Sequence, residues 1–287
     1  MVAGEVLGKE VTLKARNDYA WGPAKLDHQG RARLDEIKII VTPEDSVRIG
    51  ALLSNQAGFI RQIQAYDEQR VTDRKFPVYA ASTRGVNDSL AFRPDNERVA
   101  DVRVRKALLH ATNAKEIVQT LFTANYPQAK GVIVSTAAGF VDLSAELAFD
   151  EAKAKALLDE AGWVPQADGI RAKDGLPLVL STYESLNYLQ NREVLQLVAQ
   201  QWAKVGVKLN VLSGDLGSKT IDSLDPEKTA LIPAMVGRAD PDVIKSNYYP
   251  TNRNLLLQKG GISQKVKSFE DTLSLIHISE PTRRRGI

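Results

Sequence analysis

Few of the side chains that most often perform catalysis occur in this sequence, and those present are not spaced as a catalytic site requires. The chain contains no Cys and three His (His28, His110 and His277), far apart along the sequence. It also lacks the Gly-x-Ser-x-Gly sequence that surrounds a nucleophilic Ser in one large enzyme class. We expect His110 on a helix and His28 in a turn, neither acting as a base or a metal ligand. The sequence therefore predicts a protein that is not an enzyme and needs no cofactor or metal.

One stretch superficially resembles a phosphate-binding loop. GDLGSKT, Gly214–Thr220, follows a predicted strand. In a true loop of this kind, four residues separate the glycines and a Gly directly precedes the Lys, so that backbone amides surround the phosphates. Here the glycines lie only three positions apart, and Ser218 precedes Lys219. The spacing argues against a nucleotide site.

Two basic residues on a predicted helix, Arg103 and Arg105, have the chemistry to bind an anion. Arginines of this kind more often face solvent or pair with nearby acids, and Asp101 lies two residues before Arg103. We favour solvation or pairing over a ligand role.

Composition narrows the function further. The 287 residues are 43% hydrophobic and 25% charged, as expected for a globular protein with one large domain or two. A net charge of +3 does not favour nucleic acid or an anionic membrane as a partner. The absence of Cys excludes disulfides and thiolate metal sites. No run approaches the roughly 18 apolar residues that a membrane-spanning helix needs.

The first elements are strands followed by a helix. Apolar residues alternate in Glu10–Arg16, which predicts a half-buried strand, and Ile37–Val41 is a second strand. Thr42 is placed to cap a helix that has Pro43 at its first position and ends near Leu53.

Capping residues mark the helices in the middle of the chain. Asp101 predicts the start of one helix, and Asn113 with Glu116 forms a capping box for the next. Asp150 caps a third helix, which Gly162 ends. There, Trp163 is expected to fold back onto the last turn in a Schellman motif.

A strand–helix–strand unit follows. Leu178–Thr182 and Val207–Leu212 are predicted strands, and Gln190–Val205 is the helix between them, stopped by Gly206. A connection of this length implies parallel strands. Because such sheets bind ligands at their carboxyl ends, Tyr183–Asn187 and the loop after Leu212 are expected near any cleft.

Three segments together resemble one family. They are DVRVRKALLHATNAKEIVQTLF (Asp101–Phe122), FDEAKAKALLDEAGW (Phe149–Trp163) and the turn RNDYAWGP (Arg16–Pro23). Their sequences resemble the extracytoplasmic solute-binding proteins of the peptide/nickel class, which supply ABC importers. The chain departs from the family at Ser54–Phe59, where a Gly-x-x-Asp pattern is usual, and at Arg93, where Asn is typical.

The resemblance implies an α/β fold of the two-lobed periplasmic-binding-protein type (class II, peptide-binding cluster) with an incomplete first lobe. Residues 1–87 would form part of the first lobe, and residues 88–272 a nearly complete second lobe. Because the first residues lack the basic and apolar regions of a secretory signal, we expect the sequence to be a fragment. Residues 273–287 contain LSLIHISEPTR, which looks like a translated sequencing adapter. We therefore expect a non-native tail and leave it out of the fold prediction.

The resemblance also implies a function. Closing lobes would capture a peptide outside the cytoplasmic membrane, from a periplasmic or lipid-anchored protein, and deliver it to ABC permease subunits. We expect a monomer with no nucleic-acid partner. Nickel complexes, haem and oligosaccharides are alternative solutes on the same scaffold. An intracellular α/β enzyme is the alternative from another class.

The segment Met235–Pro250 resembles the stretch that lines the cleft in peptide-binding members of the family. By position, Asp240 would pair with the ligand's α-ammonium, while Val236, Gly237 and Arg238 would contribute backbone contacts. Asp-Pro-Asp is also a turn sequence in which Asp240 would bond its own backbone, and the residues alone leave both roles open. Family members often have Gly-Trp at Val236-Gly237, which leaves the ligand class open, and Arg238 could favour an anionic solute. With half of the cleft wall missing, we expect weak binding by the 287-residue chain itself.

Overall fold

The structure is a computed structural model that describes residues 1–185, 190–244, 275–279 and 282–283, the last two ranges by their backbone only. The described strands are β1 (Val2–Val6), β2 (Glu10–Lys14), β3 (Glu36–Ile40), β4 (Ala81–Ser82), β5 (Gly85–Phe92), β6 (Val164–Pro165), β7 (Arg171–Lys173), β8 (Leu176–Pro177), β9 (Val179–Tyr183), β10 (Lys208–Leu212), β11 (Leu231–Gly237), β12 (Leu275–Ser279) and β13 (Thr282–Arg283). The described α-helices are α1 (Asp45–Leu53), α2 (Glu68–Asp73), α3 (Val102–His110), α4 (Ala114–Leu121), α5 (Glu151–Glu160), α6 (Asn191–Ala203) and α7 (Leu216–Asp222).

Contacts divide the chain into two compact units. The first comprises Met1–Ile63 and Arg70–Phe76, and the second comprises Gln64–Gln69 and the described residues from Pro77 onward. These are units of contact. The assignment of residues 1–87 and 88–272 to two lobes stays a prediction.

The first unit contains an antiparallel sheet in the order β1-β2-β3. Two of its strands were predicted, whereas β1 was not. The predicted burial of one face is only partial, because Ile37 and Ile39 on β3 remain 46% and 51% exposed. Glu10 pairs with Lys38 across the opposite face at 2.8 Å. The sheet is therefore amphipathic, with an apolar face that the described residues of this unit cover incompletely.

Helix α1 begins later than the sequence predicted. Its first residue is Asp45 and its cap position is Glu44, whose side chain makes no capping bond. The guanidinium of Arg48 donates to the carbonyl oxygens of Thr42 and Pro43 at 2.8 and 2.7 Å. The prediction that Thr42 caps the helix was wrong because these two residues lie outside it, where Arg48 binds their carbonyls.

The second unit is built around the predicted strand–helix–strand passage. Strands β9 and β10 are parallel, with Lys208 opposite Val179 and Leu212 opposite Tyr183. The connecting helix α6 buries its predicted apolar stripe in the main core. Trp202 on this stripe also donates a hydrogen bond to the hydroxyl of Thr112 at 2.9 Å, which satisfies its indole nitrogen inside the core.

Capping bonds confirm the predicted starts of three helices. Asp101, Asn113 and Asp150 each accept a bond from a backbone amide in the first turn of α3, α4 and α5. At the end of α5, the amide of Trp163 donates to the carbonyl of Leu158 at 2.9 Å, as a Schellman motif requires. The three predicted N-terminal caps and the Schellman motif are present. The capping box predicted at Asn113 is only half formed, because the amide of Asn113 donates to Oε1 of Gln201 at 2.9 Å instead of to Glu116.

Strand β5 is the centre of a second sheet, in the order β11-β5-β12. Both partners are antiparallel to it, and nearly all of its side chains are buried. Residues of β12 and β13 belong to the segment that we left out of the fold prediction, and they pair with β5 and β4 respectively. An open sheet edge pairs readily with an extended segment of suitable propensity, which accounts for this difference. The origin of residues 273–287 stays a prediction.

Candidate functional site

The candidate ligand residues Val236, Gly237 and Arg238 lie at the end of β11. On one side β11 pairs with β5, where Val236 lies opposite Val86 and Gly237 opposite Gly85. The amide of Arg238 continues the pairing by donating to the carbonyl of Arg84 at 2.7 Å. Within the described part of the chain, β11 is an edge strand of its sheet. An edge strand is the kind of element to which an extended peptide can add as a further strand.

The two strands approach each other closely at this end, and two glycines permit it. Gly85 has φ +138°, and a Cβ atom there would lie 1.9 Å from the carbonyl oxygen of Val236. A Cβ on Gly237 would lie 2.6 Å from Cγ2 of Thr83. A larger side chain at Gly85 would push β11 away from β5, whereas one at Gly237 would require the side chain of Thr83 to move. The glycines thus hold the backbone of the candidate site in place.

The candidate acid, Asp240, lies in an exposed turn just after the strand. Its Oδ1 accepts a hydrogen bond from the amide of Asp242 at 2.9 Å, and the amide of Val243 donates to its carbonyl at 3.2 Å. Asp240 therefore bonds the backbone of its own turn, which is one of the two roles that the sequence left open. An ionised carboxylate has room for further donors on its second oxygen. A ligand role for Asp240 stays a prediction, as do the roles of the three residues before it.

A second polar cluster lies at the carboxyl ends of the parallel strands, as the sequence predicted for Tyr183 and its neighbours. The hydroxyl of Tyr183 donates to Asp222 at 2.6 Å, and the ammonium of Lys228 donates to the other carboxylate oxygen at 2.9 Å. The hydrogen bond to Asp222 raises the pKa of Tyr183. Next to it, Arg192 forms an ion pair with Glu184 at 2.9 Å. Because these charges pair with one another, the cluster joins α6 and α7 to the end of β9. Asn187 lies outside the described residues.

The loop that resembled a phosphate site is instead the start of α7. Asp215 caps this helix, and its Oδ1 accepts the amides of Gly217 and Ser218 at 2.8 and 3.1 Å. The ammonium of Lys219 donates to the carbonyl oxygen of Glu184, and burial lowers its pKa. These amides and this cation already have partners, so the loop does not form a phosphate cradle.

The remaining candidates have structural contacts. Arg103 pairs with Asp101 at 2.6 Å, as we favoured. Arg105 differs from the expectation in being fully buried, where it donates to the carbonyl oxygens of Val99 and Ala100. Nδ1 of His110 lies 2.8 Å from the carbonyl oxygen of Ala148, and Nε2 of His28 lies 2.5 Å from that of Arg31.

One chemically distinctive residue was missed. Asp88 on β5 is 7% exposed, and its burial raises its pKa to about 7, an effect that the amide of Ser89 offsets only in part. Beside it, Oδ1 of Asn87 is buried with no hydrogen-bond partner among the described residues, while its Nδ2 donates to the carbonyl of Gly131 at 2.7 Å. Three polar residues in a row, Asn87–Ser89, do not indicate a buried strand in the sequence. Only the packing around β5 shows that they are interior.

Among the described residues, no three His, Asp or Glu side chains are grouped so as to hold a metal ion. The helices within the same ranges are all too short or too polar to cross a bilayer.

Comparison with characterised proteins identifies relatives along nearly the whole chain. The dipeptide-binding protein of Escherichia coli (strain K12) is 24% identical over 280 residues, which are 96% of this chain and 49% of that protein. Heme-binding protein A of Haemophilus influenzae is 26% identical over 217 residues, 75% of this chain and 38% of that protein. The chain thus spans about half the length, or less, of these relatives.

Solved structures show the same fold. NikA from Brucella suis in complex with Fe(III)-EDTA aligns with a TM-score of 0.73 and 20% identity over 99% of this chain and 62% of its own. The oligopeptide-binding protein AppA from Bacillus subtilis, in complex with a nonapeptide, aligns with a TM-score of 0.74 and 18% identity over 99% of this chain and 60% of its own. These similarities confirm the predicted α/β fold of the two-lobed solute-binding proteins. Residues 1–254 match the profile of the bacterial extracellular solute-binding proteins, family 5 (middle), and the chain belongs to this family.

Proposed function

We propose that this chain is part of the substrate-binding component of an ABC importer and that it binds peptides along β11. The observation that carries the proposal is the position of β11 as an edge strand among the described residues, with the carboxylate of Asp240 three residues after the end of the strand at Gly237. An extended peptide would bond its backbone to this edge, and its α-ammonium would contact Asp240.

The relatives support this choice of solute class. They include a dipeptide-binding protein and an oligopeptide-binding protein, and the second is OppA of Lactococcus lactis, 27% identical over 70% of this chain. The names of these relatives describe binding, which supports a role in capture rather than catalysis. Like them, the protein would act outside the cytoplasmic membrane and pass its solute to a permease.

A second candidate is a solute other than a peptide on the same scaffold. Arg238 is exposed just after the end of β11, where a cation would attract an anionic solute. The relatives also include Heme-binding protein A, and NikA was solved with Fe(III)-EDTA. An anionic chelate would use Arg238 and leave Asp240 without a ligand contact.

The two candidates predict different results in one experiment. The chain is mixed with millimolar tripeptide carrying either a free or an acetylated amino terminus, or with Fe(III)-EDTA, and hydrogen exchange is followed at the amides of residues 236–238. Among these, the amide of Gly237 reports on the outer edge, because the amide of Arg238 already donates to the carbonyl of Arg84. We expect protection by the free peptide, weaker protection by the acetylated peptide, and little from the chelate. High concentrations are used because we expect weak binding from this chain.

Matched variants then test the acid. In Asp240→Asn the two peptides should protect equally, because the neutral amide no longer attracts the ammonium. Asp242→Asn changes a carboxylate in the same turn and should preserve the difference. If the chelate protects these amides and neither peptide does, the second candidate replaces the first.

A further inference from the structure

The two long edges of β5 have different partners. Strand β11 follows the first edge along most of its length. On the second edge, the amide of Val134 donates to the carbonyl of Gly85 at 3.0 Å, and the amide of Asn87 donates to the carbonyl of Val132 at 3.3 Å. Residues 131–134 therefore cover only the beginning of the second edge.

The rest of the second edge is covered by β12. Leu275 lies opposite Ala91, Ile276 opposite Leu90 and His277 opposite Ser89, and a bulge precedes the pairing of Ser279 with Asp88. Helices α3 and α4 also contact β12, so that a strand in this place has β5 beside it and two helices against it. We call the space along Asp88–Ala91, bounded by α3 and α4, the β5 slot.

An occupant in the β5 slot is favoured for an energetic reason. With β12 in place, Leu90 is 1% exposed and belongs to the main core, and Ser89 is equally buried. In an antiparallel pair, about every second residue directs its N–H and C=O toward a given neighbour. Leaving such buried groups without partners costs roughly 1–3 kcal/mol each. An extended segment satisfies them with its own backbone.

We propose that the β5 slot is a strand-acceptor site, which binds one extended segment through backbone hydrogen bonds, and that Leu275–Ser279 occupies it in this chain. The site goes beyond the proposed solute function, because the solute edge belongs to β11, on the opposite side of β5. Its ligand class is an extended peptide that contains β-branched residues and no Pro. Ile276 and Ile278 give the occupant this character.

Recognition of this kind depends on the backbone more than on particular side chains. Residues 273–287 are consistent with such recognition, because nothing in the preceding sequence predicts them and yet part of them pairs with β5. A segment of unrelated origin can fill the slot if it is extended, β-prone and free of Pro. The slot is thus a property of β5 and its two covering helices.

The test removes the occupant within the full chain. Two single variants, Ile276→Pro and His277→Pro, each delete a backbone donor and disfavour pairing at adjacent positions of β12. We expect the amides of Asp88–Ala91 that point toward β12 to lose protection from hydrogen exchange by at least about ten-fold. The amides of β9 and β10 report whether the second unit remains folded. Arg285→Pro, beyond both terminal strands, is the control and should leave all of these amides unchanged.

Adding the occupant as a separate peptide distinguishes two interpretations, a site that accepts a strand and a strand that is a fixed part of the fold. A synthetic peptide with the sequence of residues 274–279 should restore protection at Asp88–Ala91 in the His277→Pro variant. The same peptide with Pro in place of His should not. Unchanged protection in both proline variants would overturn the proposal, and so would a loss that the unmodified peptide cannot reverse at millimolar concentration.

Discussion

At the scale of single residues, the unusual group is the carboxyl of Asp88. Asp88 lies on β5 between Val86 and Leu90, where a bulge interrupts the regular alternation of side chains. Val86 belongs to a small apolar cluster and Leu90 to the main core. Asp88 is itself buried, and this burial raises its pKa from 3.8 to about 7.

The raised pKa predicts that the chain loses stability as the pH rises from about 4 to about 7. In this window the unfolded state has released the proton of Asp88 and the folded state still holds it, so the unfolded state binds fewer protons. Asp88→Asn should remove the effect. The unfolding free energy of the variant minus that of the unaltered chain should be larger at pH 8 than at pH 4.5 by roughly 2–4 kcal/mol.

Urea denaturation at the two pH values measures this gain. Asp27→Asn, an exposed acid in a turn of the first unit, is the control and should show no comparable gain. If the difference between Asp88→Asn and the unaltered chain does not change with pH, Asp88 is not held protonated in the folded state.

Gly85 shows how one residue type positions the candidate site. Gly85→Ala would place Cβ 1.9 Å from the carbonyl oxygen of Val236, at a φ of +138° that other residues avoid. We expect a loss of at least about 3 kcal/mol in unfolding free energy, together with faster amide exchange at Val236–Arg238. Gly50→Ala is the matched control because it lies in helix α1 with open space around it. That change should stabilise the chain by up to about 1 kcal/mol. Equal behaviour of the two variants would contradict the steric role of Gly85.

At the scale of elements, capping explains why the middle helices were predictable. Asp101, Asn113 and Asp150 bond amides within their own first turns, so the signal is local in sequence. The capping box at Asn113 is completed by another element, because its own amide donates to Oε1 of Gln201 at 2.9 Å. Gln201 lies on α6, far away in sequence, and no local sequence pattern predicts that bond.

The contribution of a helix cap to stability can be tested at Asp150. Asp150→Ala removes the acceptor of the Lys153 amide at the start of α5 and should cost about 1 kcal/mol of unfolding free energy. Asp150→Asn keeps a capping oxygen and should cost little. Thermal denaturation of the two variants side by side makes the comparison, and an equal loss in both would indicate that the charge, not the cap, matters.

At the scale of the whole molecule, contacts divide the chain into two compact units. The first unit buries few apolar side chains, among them Ile49 and Leu52, and its sheet is largely exposed. The second contains the extensive core that includes Leu158 and Trp202. A small core gives a small unit little independent stability.

The division into two units of contact predicts that they unfold separately. Leu158 is 0% exposed, and Leu158→Ala should destabilise the second unit by about 3 kcal/mol. Hydrogen exchange should become faster throughout α3, α5 and α6 while β1–β3 keep their rates. Leu26→Ala changes a residue that is 57% exposed in the first unit and should alter neither set. Faster exchange in both units after Leu158→Ala would show that they unfold together.

The sequence by itself determined the features that depend on local interactions. Caps, the Gly162 terminus and the apolar stripe of α6 involve residues within a few turns of each other, and the parallel pairing of β9 and β10 follows from the length of their connection. The family followed from the same segments, and the match over residues 1–254 confirmed it.

Tertiary structure alone decided what depends on long-range contact. The central place of β5, the burial of Asp88, the completion of the cap at Asn113 by Gln201 and the pairing of β12 join residues that are distant in sequence. Whether a polar residue is buried, or an edge is covered, depends on which elements pack beside it. That information resides in the packed fold rather than in any local stretch of sequence.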